Sequence, residues 1–348
     1  MQKENELIYT GVPGFSPLST GQDLLYIGDG SDNTVKTFDP VTGQYLGAFV
    51  VPGSGGLNGP RGLLFAYEEN LLVANQNVRK NNGNVLKYSG QSGRFLNELV
   101  SSKEKDNAPF APRGIILSDD NVLFVADFMD HGNKPGKLRT YDGTTGVFLG
   151  SLDHPGFNEQ AFYPRGLVIG PDGLLYVSVF DISDQNSGWV LRFDPNTGDY
   201  LGVFIESNST NNLHRPEGLV FNPDGSKLYI TSFRDIRPVI NDTDKILVFD
   251  GETGAYLDED KIDLYTVGEP RAFAQAILFG PSGKLLVPIT GGDVATTGSV
   301  RSYNVESMLF DELVSPASAG GPLGEPWYLT CGNTNPATLA YQNDVIIG

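Results

Sequence analysis

The chain is poor in cysteine, in histidine and in positive charge, and it has no long apolar run. Its one cysteine, Cys331, excludes a disulfide within the chain and a metal site built from several cysteines. No stretch of about 18 apolar residues is present, so the sequence predicts no membrane-spanning helix. The first residues, MQKENELIYTG, also lack the basic and then apolar order of a signal peptide.

The scarcity of positive charge limits the partners of this protein. Lys and Arg number 24 against 42 Asp and Glu, which gives a formal net charge of -18. Nucleic acids and anionic membranes repel such a chain, so we predict neither as a partner. Any anion that the protein binds must be held by a local cluster of positive groups. We expect a small-molecule substrate, and the sequence leaves the oligomeric state open.

Two N-glycosylation sequons, at Asn208 and Asn241, lie in polar loop sequence. They favour a secreted protein or one in the secretory pathway, and a cytoplasmic location is the alternative.

What the chain has in abundance is repetition. Three motifs recur in the same order, and the aromatic residue of the third marks a period of 50 to 56 residues. The first motif reads GPRGLLF from Gly59, APRGIIL from Ala111, YPRGLVI from Tyr163, RPEGLVF from Arg215, EPRAFAQAILF from Glu269 and EPWYLTC from Glu325. The second reads LLYIGD from Leu24, LLVANQ from Leu71, VLFVAD from Val122, LLYVSV from Leu174, KLYITS from Lys227 and KLLVPI from Lys284. The third contains FDPVTG, YSGQSG, YDGTTG, FDPNTG, FDGETG and a degraded YNVESM. Periods of this size are typical of solenoids, propellers and arrays.

Each period contains four short β-rich runs joined by turn sequences, which is the pattern of a propeller blade. We therefore predict an all-β fold, a six-bladed β-propeller with four antiparallel strands per blade, formed by residues 1–348 as a single domain. The EPWYLTC copy near the end of the chain is predicted to supply the missing inner strand of the first blade and so to close the ring. A further strand-like run, Thr338–Tyr341, has no place in this scheme.

Charged residues at the start of successive inner strands are predicted to meet at one end of the central channel. They are Arg61, Arg113, Arg165, Glu217 and Arg271, with Glu325 or Trp327 completing the ring. One interpretation is structural, in which each arginine pairs with an Asp or Asn of its own or a neighbouring blade. The other is that several guanidinium groups remain unpaired and bind a planar, oxygen-bearing ligand.

The same end of the ring carries the other candidate site residues. His214 lies three residues before Glu217, and we predict it as an acid–base group. The candidate catalytic residues are His214, Glu217, Arg113 and Arg165. A set of further residues is predicted to line the substrate pocket together with Arg61 and Arg271: Asp127, Phe128, Tyr163, Phe180, Trp189, Phe233 and Trp327.

No cofactor is predicted, because nearby arginines oppose a bound cation. The alternative is a site for Ca²⁺ or Mg²⁺ built from carboxylates near the axis. Its candidate ligands are Asp29, Asp127, Asp181, Glu217 and Glu325.

The repeated PRGL, LLYV and FDPxTG motifs resemble the six-bladed propellers of the NHL and SMP-30-like group, which includes gluconolactonases, streptogramin lyases and strictosidine-synthase-like enzymes. The resemblance spans nearly the whole chain and implies the fold. In the lactonases a divalent metal is held by Glu, Asn and Asp, and Glu325-Pro326-Trp327 looks like the start of their Glu-x-Pro-x-Trp signature, one residue short. Arginine stands here where those enzymes carry Asn at the start of the inner strands.

The ending SPASAGGPLGEPWYLTCG, from Ser315, is similar to propeller proteins of fungal natural-product clusters. Some of these are thought to be hetero-Diels–Alderases, which implies a cofactor-independent elimination and cycloaddition on a small organic substrate. This lyase- or cyclase-type enzyme is our leading hypothesis. A metal-dependent lactonase or lyase is the first alternative, and a non-catalytic interaction scaffold of the NHL type is the second.

Overall fold

Twenty-four strands form six antiparallel sheets in a computed structural model that describes residues 23–78, 82–104, 106–235, 237, 241–265, 271–291 and 298–342. In chain order the strands are β1 (Leu25–Asp29), β2 (Thr34–Phe38), β3 (Tyr45–Val50), β4 (Pro60–Phe65), β5 (Leu71–Asn75), β6 (Asn84–Tyr88), β7 (Phe95–Val100), β8 (Pro112–Leu117), β9 (Val122–Asp130), β10 (Lys134–Asp142), β11 (Phe148–Leu152), β12 (Tyr163–Ile169), β13 (Leu175–Asp181), β14 (Asp184–Phe193), β15 (Tyr200–Glu206), β16 (Leu219–Phe221), β17 (Lys227–Ser232), β18 (Lys245–Asp250), β19 (Ile262–Asp263), β20 (Leu278–Phe279), β21 (Leu285–Ile289), β22 (Ser299–Tyr303), β23 (Phe310–Val314) and β24 (Pro326–Cys331).

The helical content of the described ranges is four single-turn 3-10 helices, and no α-helix occurs there. They are Ser54–Gly56, Glu159–Ala161, Asp258–Asp260 and Ala317–Ala319. No helix in this part of the chain is long and apolar enough to cross a membrane.

Each sheet is one blade with four strands, and blade one is built from both ends of the chain. Its order is β24-β1-β2-β3, and β24 pairs with β1 from Leu25 opposite Cys331 to Asp29 opposite Pro326. Blades two to six follow in chain order, with β4, β8, β12, β16 and β20 as their inner strands. The predicted six-bladed propeller and its closure by the C-terminal segment are therefore confirmed.

The outer hairpins follow directly from the repeated Asp-x-x-Thr-Gly sequence. In blade one the Oδ1 atom of Asp39 accepts hydrogen bonds from the backbone N–H groups of Val41 and Thr42, at 3.0 and 2.7 Å. Gly43 then takes a left-handed backbone conformation with φ of 70°, which glycine adopts without steric cost. The degraded copy in blade six keeps the same turn, with the left-handed position filled by Met308 at φ 59°.

The periodic aromatic residue of the third strands forms the core between blades. All six members are at most 1% exposed: Phe38, Tyr88, Tyr141, Phe193, Phe249 and Tyr303. Each contacts an aromatic ring on or next to the fourth strand of its own blade, as Phe193 does with Tyr200 at 5.3 Å between ring centroids. Edge and tilted contacts of this kind add to the burial of apolar area.

The Arg-Gly pair of the PRG motif is a β-bulge in blades two, three and four. In blade two Pro60 pairs with Asn75 and Leu63 pairs with Val73, so that Arg61 and Gly62 together oppose one residue. A bulge redirects the side chain at that point of a strand. A Cβ on Gly62 would lie 2.6 Å from the carbonyl oxygen of Arg113 in the next blade. The glycine is therefore required by the close approach of inner strands at the axis, and the preceding residue is free to vary.

The chain after β24, residues 332–342, closes the far end of the central channel, and we call this segment the plug. The N–H groups of Leu117 and Ile169, at the ends of two inner strands, donate to the carbonyl oxygens of Pro336 and Ala337. Leu339 then lies on the axis, where it packs against the apolar clusters of four different inter-blade regions. The prediction of a strand at Thr338–Tyr341 is wrong apart from one bridge between Thr334 and Tyr341, because this segment turns to place Leu339 in the channel.

Candidate functional site

Six side chains, one from each blade, surround the open end of the channel. Their order follows from the small residues after them, Gly62, Gly114, Gly166, Gly218 and Ala276, which line one axial cavity together with Tyr328. The ring residues are Arg61, Arg113, Arg165, Glu217, Gln275 and Trp327. Arg271, which the sequence placed in this ring, lies outside it, because three residues separate Arg271 from Gln275, the ring position of its blade. Gln275 takes that position and accepts a hydrogen bond from Arg61 at 3.4 Å.

The ring holds more positive than negative charge, and its four charged side chains are buried. Arg61, Arg113 and Arg165 are 6, 9 and 6% exposed, and Glu217 is 2% exposed. The ion pair between the Nη1 atom of Arg165 and the Oε1 atom of Glu217 is long, at 3.4 Å. Arg61 donates from Nε to Gln76 at 2.8 Å and stacks on Trp327 with its guanidinium carbon 3.1 Å from the ring centroid.

Several polar atoms in the ring have no hydrogen-bond partner although they are buried. They are Nε of Arg113, Nε of Arg165, Oε2 of Glu217 and the hydroxyl of Tyr328. Burial lowers the pKa of Arg113 and of Arg165, and the nearby Glu217 carboxylate opposes that shift in both. Burial also raises the pKa of Tyr328 to about 12, so its phenol is protonated at neutral pH. Unpaired buried donors of this kind are costly unless a ligand meets them.

Guanidinium groups and phenylalanine rings alternate along blades three to six. The guanidinium carbon of Arg165 lies 3.6 Å from the centroid of Phe128 and 4.9 Å from that of Phe180. The pattern continues around the mouth with centroid distances of 4.4 to 5.5 Å. We call this set the arginine–phenylalanine girdle, and its members are Arg113, Phe128, Arg165, Phe180, Arg215, Phe233, Arg271 and Phe273. Two of these arginines also have carboxylate partners, since Arg271 pairs with Asp244 at 2.8 Å and Arg165 with Glu217. Cation–π contacts add to the stabilisation of all four.

Two residues of the girdle have strained backbones. Arg215 and Phe273 take left-handed conformations with φ of 46° and 49°. Bulky residues seldom do so, and such strain concentrates at functional sites. The left-handed conformation of Arg215 also turns the backbone between His214 and Glu217, so that these two side chains point in different directions.

His214 and Glu217, both predicted as catalytic residues, lie in different environments. Glu217 faces the arginines of the ring. His214 is 5% exposed, and its Nδ1 atom lies 4.0 Å from Oδ2 of Asp242. The backbone turns between the two residues, and their role as acid–base groups stays a prediction.

Asp127 is held inside blade three rather than turned toward a substrate. Its Oδ1 atom accepts from the backbone N–H groups of Phe110 and Ala111, and its Oδ2 atom accepts from Nε of Arg139 at 2.7 Å. Both carboxylate oxygens are used, and the side chain is 1% exposed. Asp127 therefore fixes the start of the inner strand of its blade, and we assign it to structure.

Of the aromatic residues predicted to line the substrate pocket, some lie together at the mouth and one does not. Phe128, Tyr163 and Phe180 form one buried cluster with Ala111 at the mouth. Trp189 lies elsewhere, since its ring packs edge-on against Phe157 and its indole N–H donates to Glu206. Trp327 belongs to the ring, where Arg61 stacks on it. Phe233 belongs to the girdle, where Arg215 and Arg271 contact its face.

The five carboxylates suggested for a metal do not fit one. Within the described ranges, no three His, Cys, Asp or Glu side chains are grouped as metal ligands would be. Asp29 accepts from Lys36 at 2.6 Å and from the N–H groups of Gly324 and Glu325. Asp181 accepts from Ser183, and Glu217 faces Arg165. Glu325 is half-buried; burial raises its pKa, and the nearby Arg61 opposes that rise. Asp29, Asp127 and Asp181 thus accept from internal donors, and the two glutamates, Glu217 and Glu325, lie near arginines.

The axial cavity beneath the ring is narrow, with a volume of about 40 Å³. Glycines and apolar side chains line it together with Tyr328, and Leu339 closes its far end. The cavity admits a group the size of one or two waters, so a larger ligand must lie above it at the mouth.

Comparison with solved structures supports the fold. A chain of a nidogen–laminin complex gives a TM-score of 0.62 at 14% identity, covering 89% of this chain and 98% of that one. Hydrazine synthase from Kuenenia stuttgartiensis gives 0.54 at 17% identity, covering 87 and 80%. A candidate 6-phosphogluconolactonase from Bacteroides uniformis gives 0.53 at 14% identity, covering 89 and 99%. Likeness at these identities shows the fold alone.

The chain is thus a β-propeller protein, and membership of the NHL and SMP-30-like group stays a prediction. No protein-family model matches the chain, and no curated protein matches it in sequence. The similarity to fungal natural-product enzymes stays a prediction. Secretion stays one too, although both sequon asparagines, Asn208 and Asn241, are exposed.

Proposed function

We propose that the protein is an enzyme that needs no cofactor and acts on a small, planar, oxygen-bearing organic molecule at the mouth of the ring. The observation that carries this proposal is the excess of buried positive charge there. Three guanidinium groups, those of Arg61, Arg113 and Arg165, accompany the single carboxylate of Glu217. A phenolate, enolate or carboxylate oxygen would satisfy the unpaired donors, which are already in place before the ligand arrives.

The substrate approaches from the side of the mouth between blades five, six and one. The ring and girdle residues there are partly exposed, among them Arg271, Phe273, Gln275 and Trp327. On the opposite side Phe128, Phe180 and the ring arginines are buried and form the back of the site. This arrangement leaves the oxygen of the substrate against the arginines and its hydrocarbon part against aromatic faces.

Elimination of water followed by cycloaddition is the reaction that we propose. Glu217 accepts the proton of a substrate hydroxyl while the bond between carbon and a leaving hydroxyl breaks, and Tyr328 donates the proton that turns this hydroxyl into water. The proton on Glu217 then returns to the oxygen of Tyr328, so both side chains are regenerated. Arg113 and Arg165 stabilise the oxygen on which negative charge develops. The product is a diene that adds to an alkene held in line with it, a step that orientation accelerates.

The alternatives have less support. A metal-dependent lactonase or lyase needs a group of free carboxylates, and those near the axis accept from internal cations and N–H groups. An interaction scaffold of the NHL type would leave the unpaired buried donors of the ring without a purpose.

Binding of a planar anion tests the proposal at its first step. Tropolone and salicylate serve as probes, measured by isothermal titration calorimetry, and an ortho-hydroxybenzyl alcohol with an added alkene serves in a turnover assay followed by mass spectrometry. We expect Arg113→Met and Arg165→Met each to weaken probe binding by about 10- to 100-fold, as for the loss of a charged hydrogen bond.

Arg192→Met is the matched control for these variants. Arg192 also lies over a phenylalanine, with its guanidinium carbon 5.0 Å from the centroid of Phe204, but on the outer part of blade four. Its replacement is expected to leave binding unchanged. Wild-type affinity and turnover in both ring variants would overturn the proposal.

A further inference from the structure

A second cavity, of about 210 Å³, lies beside blade five on the same face as the mouth. Its described lining comes from the loop before β16, from Asp235, Arg237, Asn241 and Asp242 between β17 and β18, and from the outer part of the blade. None of its lining residues belongs to the ring or to the girdle.

His214 is the buried polar group aimed into this cavity. Its backbone is fixed on both sides, because its N–H donates to Ser232 at 3.0 Å and its carbonyl oxygen accepts from the N–H of Phe233 at 2.8 Å. The side chain is 6% exposed, and its Nδ1 atom has no hydrogen-bond partner. A buried ring nitrogen in this state is rare in a purely structural histidine.

The charged groups of the cavity are paired with one another. Lys245 donates to both oxygens of Asp242 at 2.7 Å, Arg237 pairs with Asp235, and Tyr256 donates to Asp258 at 3.0 Å. With Lys261, the lining has three cationic and three anionic side chains, which balance. Burial, and then the charge of Lys245, lowers the pKa of His214, so its ring is neutral at pH 7.

We propose that this cavity binds a neutral polyhydroxylated molecule, a monosaccharide or polyol, through His214. An anion would meet the carboxylates of Asp235 and Asp242, and a cation would meet Arg237 and Lys245, so the balanced lining favours neither. A sugar hydroxyl donates and accepts at once, which matches a lining rich in both kinds of group. The volume lies below the range of pockets for drug-sized ligands, about 300–1,000 Å³, and suits a single pyranose ring.

The test uses the full chain produced in a bacterial host, so that Asn241 at the cavity edge carries no glycan. Methyl α-D-glucopyranoside, methyl α-D-mannopyranoside and myo-inositol are the probes, with inorganic phosphate for comparison, and binding is followed by saturation-transfer NMR. We expect saturable binding of at least one neutral probe and none of phosphate. His214→Phe fills the ring volume but removes its nitrogens, and it should weaken binding about tenfold.

Two further variants separate binding from folding. His131→Phe replaces an exposed histidine of blade three, whose ring contacts Asn82 and Phe110, and should bind the probe as the wild type does. Thr210→Trp places a bulky side chain at an exposed position of the rim, away from the buried groups, and should block binding. Unchanged binding in His214→Phe and Thr210→Trp, or binding of phosphate alone, would overturn the proposal. So would the failure of every neutral probe to bind. Arg113→Met is expected to have no effect, so this result is independent of the proposed function.

Discussion

Blade three contains two buried arginines whose surroundings differ completely. Arg139, on β10, is 3% exposed and donates to Asp127 and to the carbonyl oxygen of Asp106. Arg113, on β8, is 9% exposed and its Nε atom has no partner. Arg139 is held by groups of its own blade, whereas Arg113 is held against Phe128 beside two other arginines. A buried charge that its own fold neutralises contributes to structure, and one that its fold leaves unpaired is available to a ligand.

The largest expected effect on the free energy of unfolding comes from breaking the ion pair between Arg139 and Asp127. Arg139→Met leaves the carboxylate of Asp127 buried without its cation, and we expect the free energy of unfolding to fall by about 3–5 kcal/mol. Urea unfolding measures the change. Asp142→Ala, which removes an exposed turn carboxylate of the same blade, should cost clearly less. A loss below that of Asp142→Ala would show that the pair is not what holds this blade.

The side chain of Leu339, in the plug, makes apolar contacts only, in contrast to the buried charges of Arg139 and Arg113. Leu339→Ala removes the side chain at the far end of the axial cavity. Because Leu339 is only partly buried, we expect a loss of about 2 kcal/mol, the low end for such a change. Binding of tropolone at the mouth should not change, because the plug contacts the opposite ends of the inner strands. Leu309→Ala, at a side chain that is 71% exposed, is the control and should lie within about 0.5 kcal/mol of the wild type. Equal losses in the two variants would contradict the position of Leu339.

The smallest effect on stability is expected for the unpaired arginine. Arg113→Met replaces a buried charge that has no salt bridge of its own by an apolar side chain of similar length. Replacing buried ion pairs by apolar residues is neutral or stabilising by about 1–4 kcal/mol, and we expect a change in the same direction here. The same urea measurement applies, together with the loss of anion binding described above. If Arg113→Met destabilises the protein as much as Arg139→Met does, the difference between the two arginines disappears.

The sequence predicts the fold well, because the fold is repeated six times. Turn sequences, second-strand motifs and the periodic aromatic residue recur at a nearly constant interval, and each copy supports the others. The plug was missed for the opposite reason, since Leu339 is a single apolar residue in a polar tail with no second copy to compare. Its position depends on the carbonyl oxygens of Pro336 and Ala337 meeting two distant inner strands.

The site is predicted only where a residue stands at its usual place in the repeat. Arg61, Arg113, Arg165 and Glu217 precede a glycine and were identified. Gln275 precedes Ala276 in AQAILF, and alignment on the apolar end of the motif would have found it in place of Arg271. The same alignment sets Tyr328 of PWYLTC opposite those glycines, which is the signal for its position on the axis.

Adjacency in sequence was misleading where the backbone turns. His214 and Glu217 are three residues apart, yet the left-handed conformation of Arg215 between them sends one side chain to the second cavity and the other to the ring. A left-handed arginine has no sequence signature, because glycine and asparagine are the residues that usually announce one.

Blade one cannot be completed until the end of the chain has been synthesised, because β24 is its inner strand. Asp29 of β1 pairs with Pro326 of β24, which lies 297 positions later in the chain (326 minus 29). At the usual pace of a ribosome, about 5–20 residues per second, β1 waits roughly 15–60 s for its partner to be synthesised. Throughout that interval the first blade lacks its inner strand and offers an open edge to any other strand nearby. Mispairing of the first blade is therefore most expected before β24 has left the ribosome.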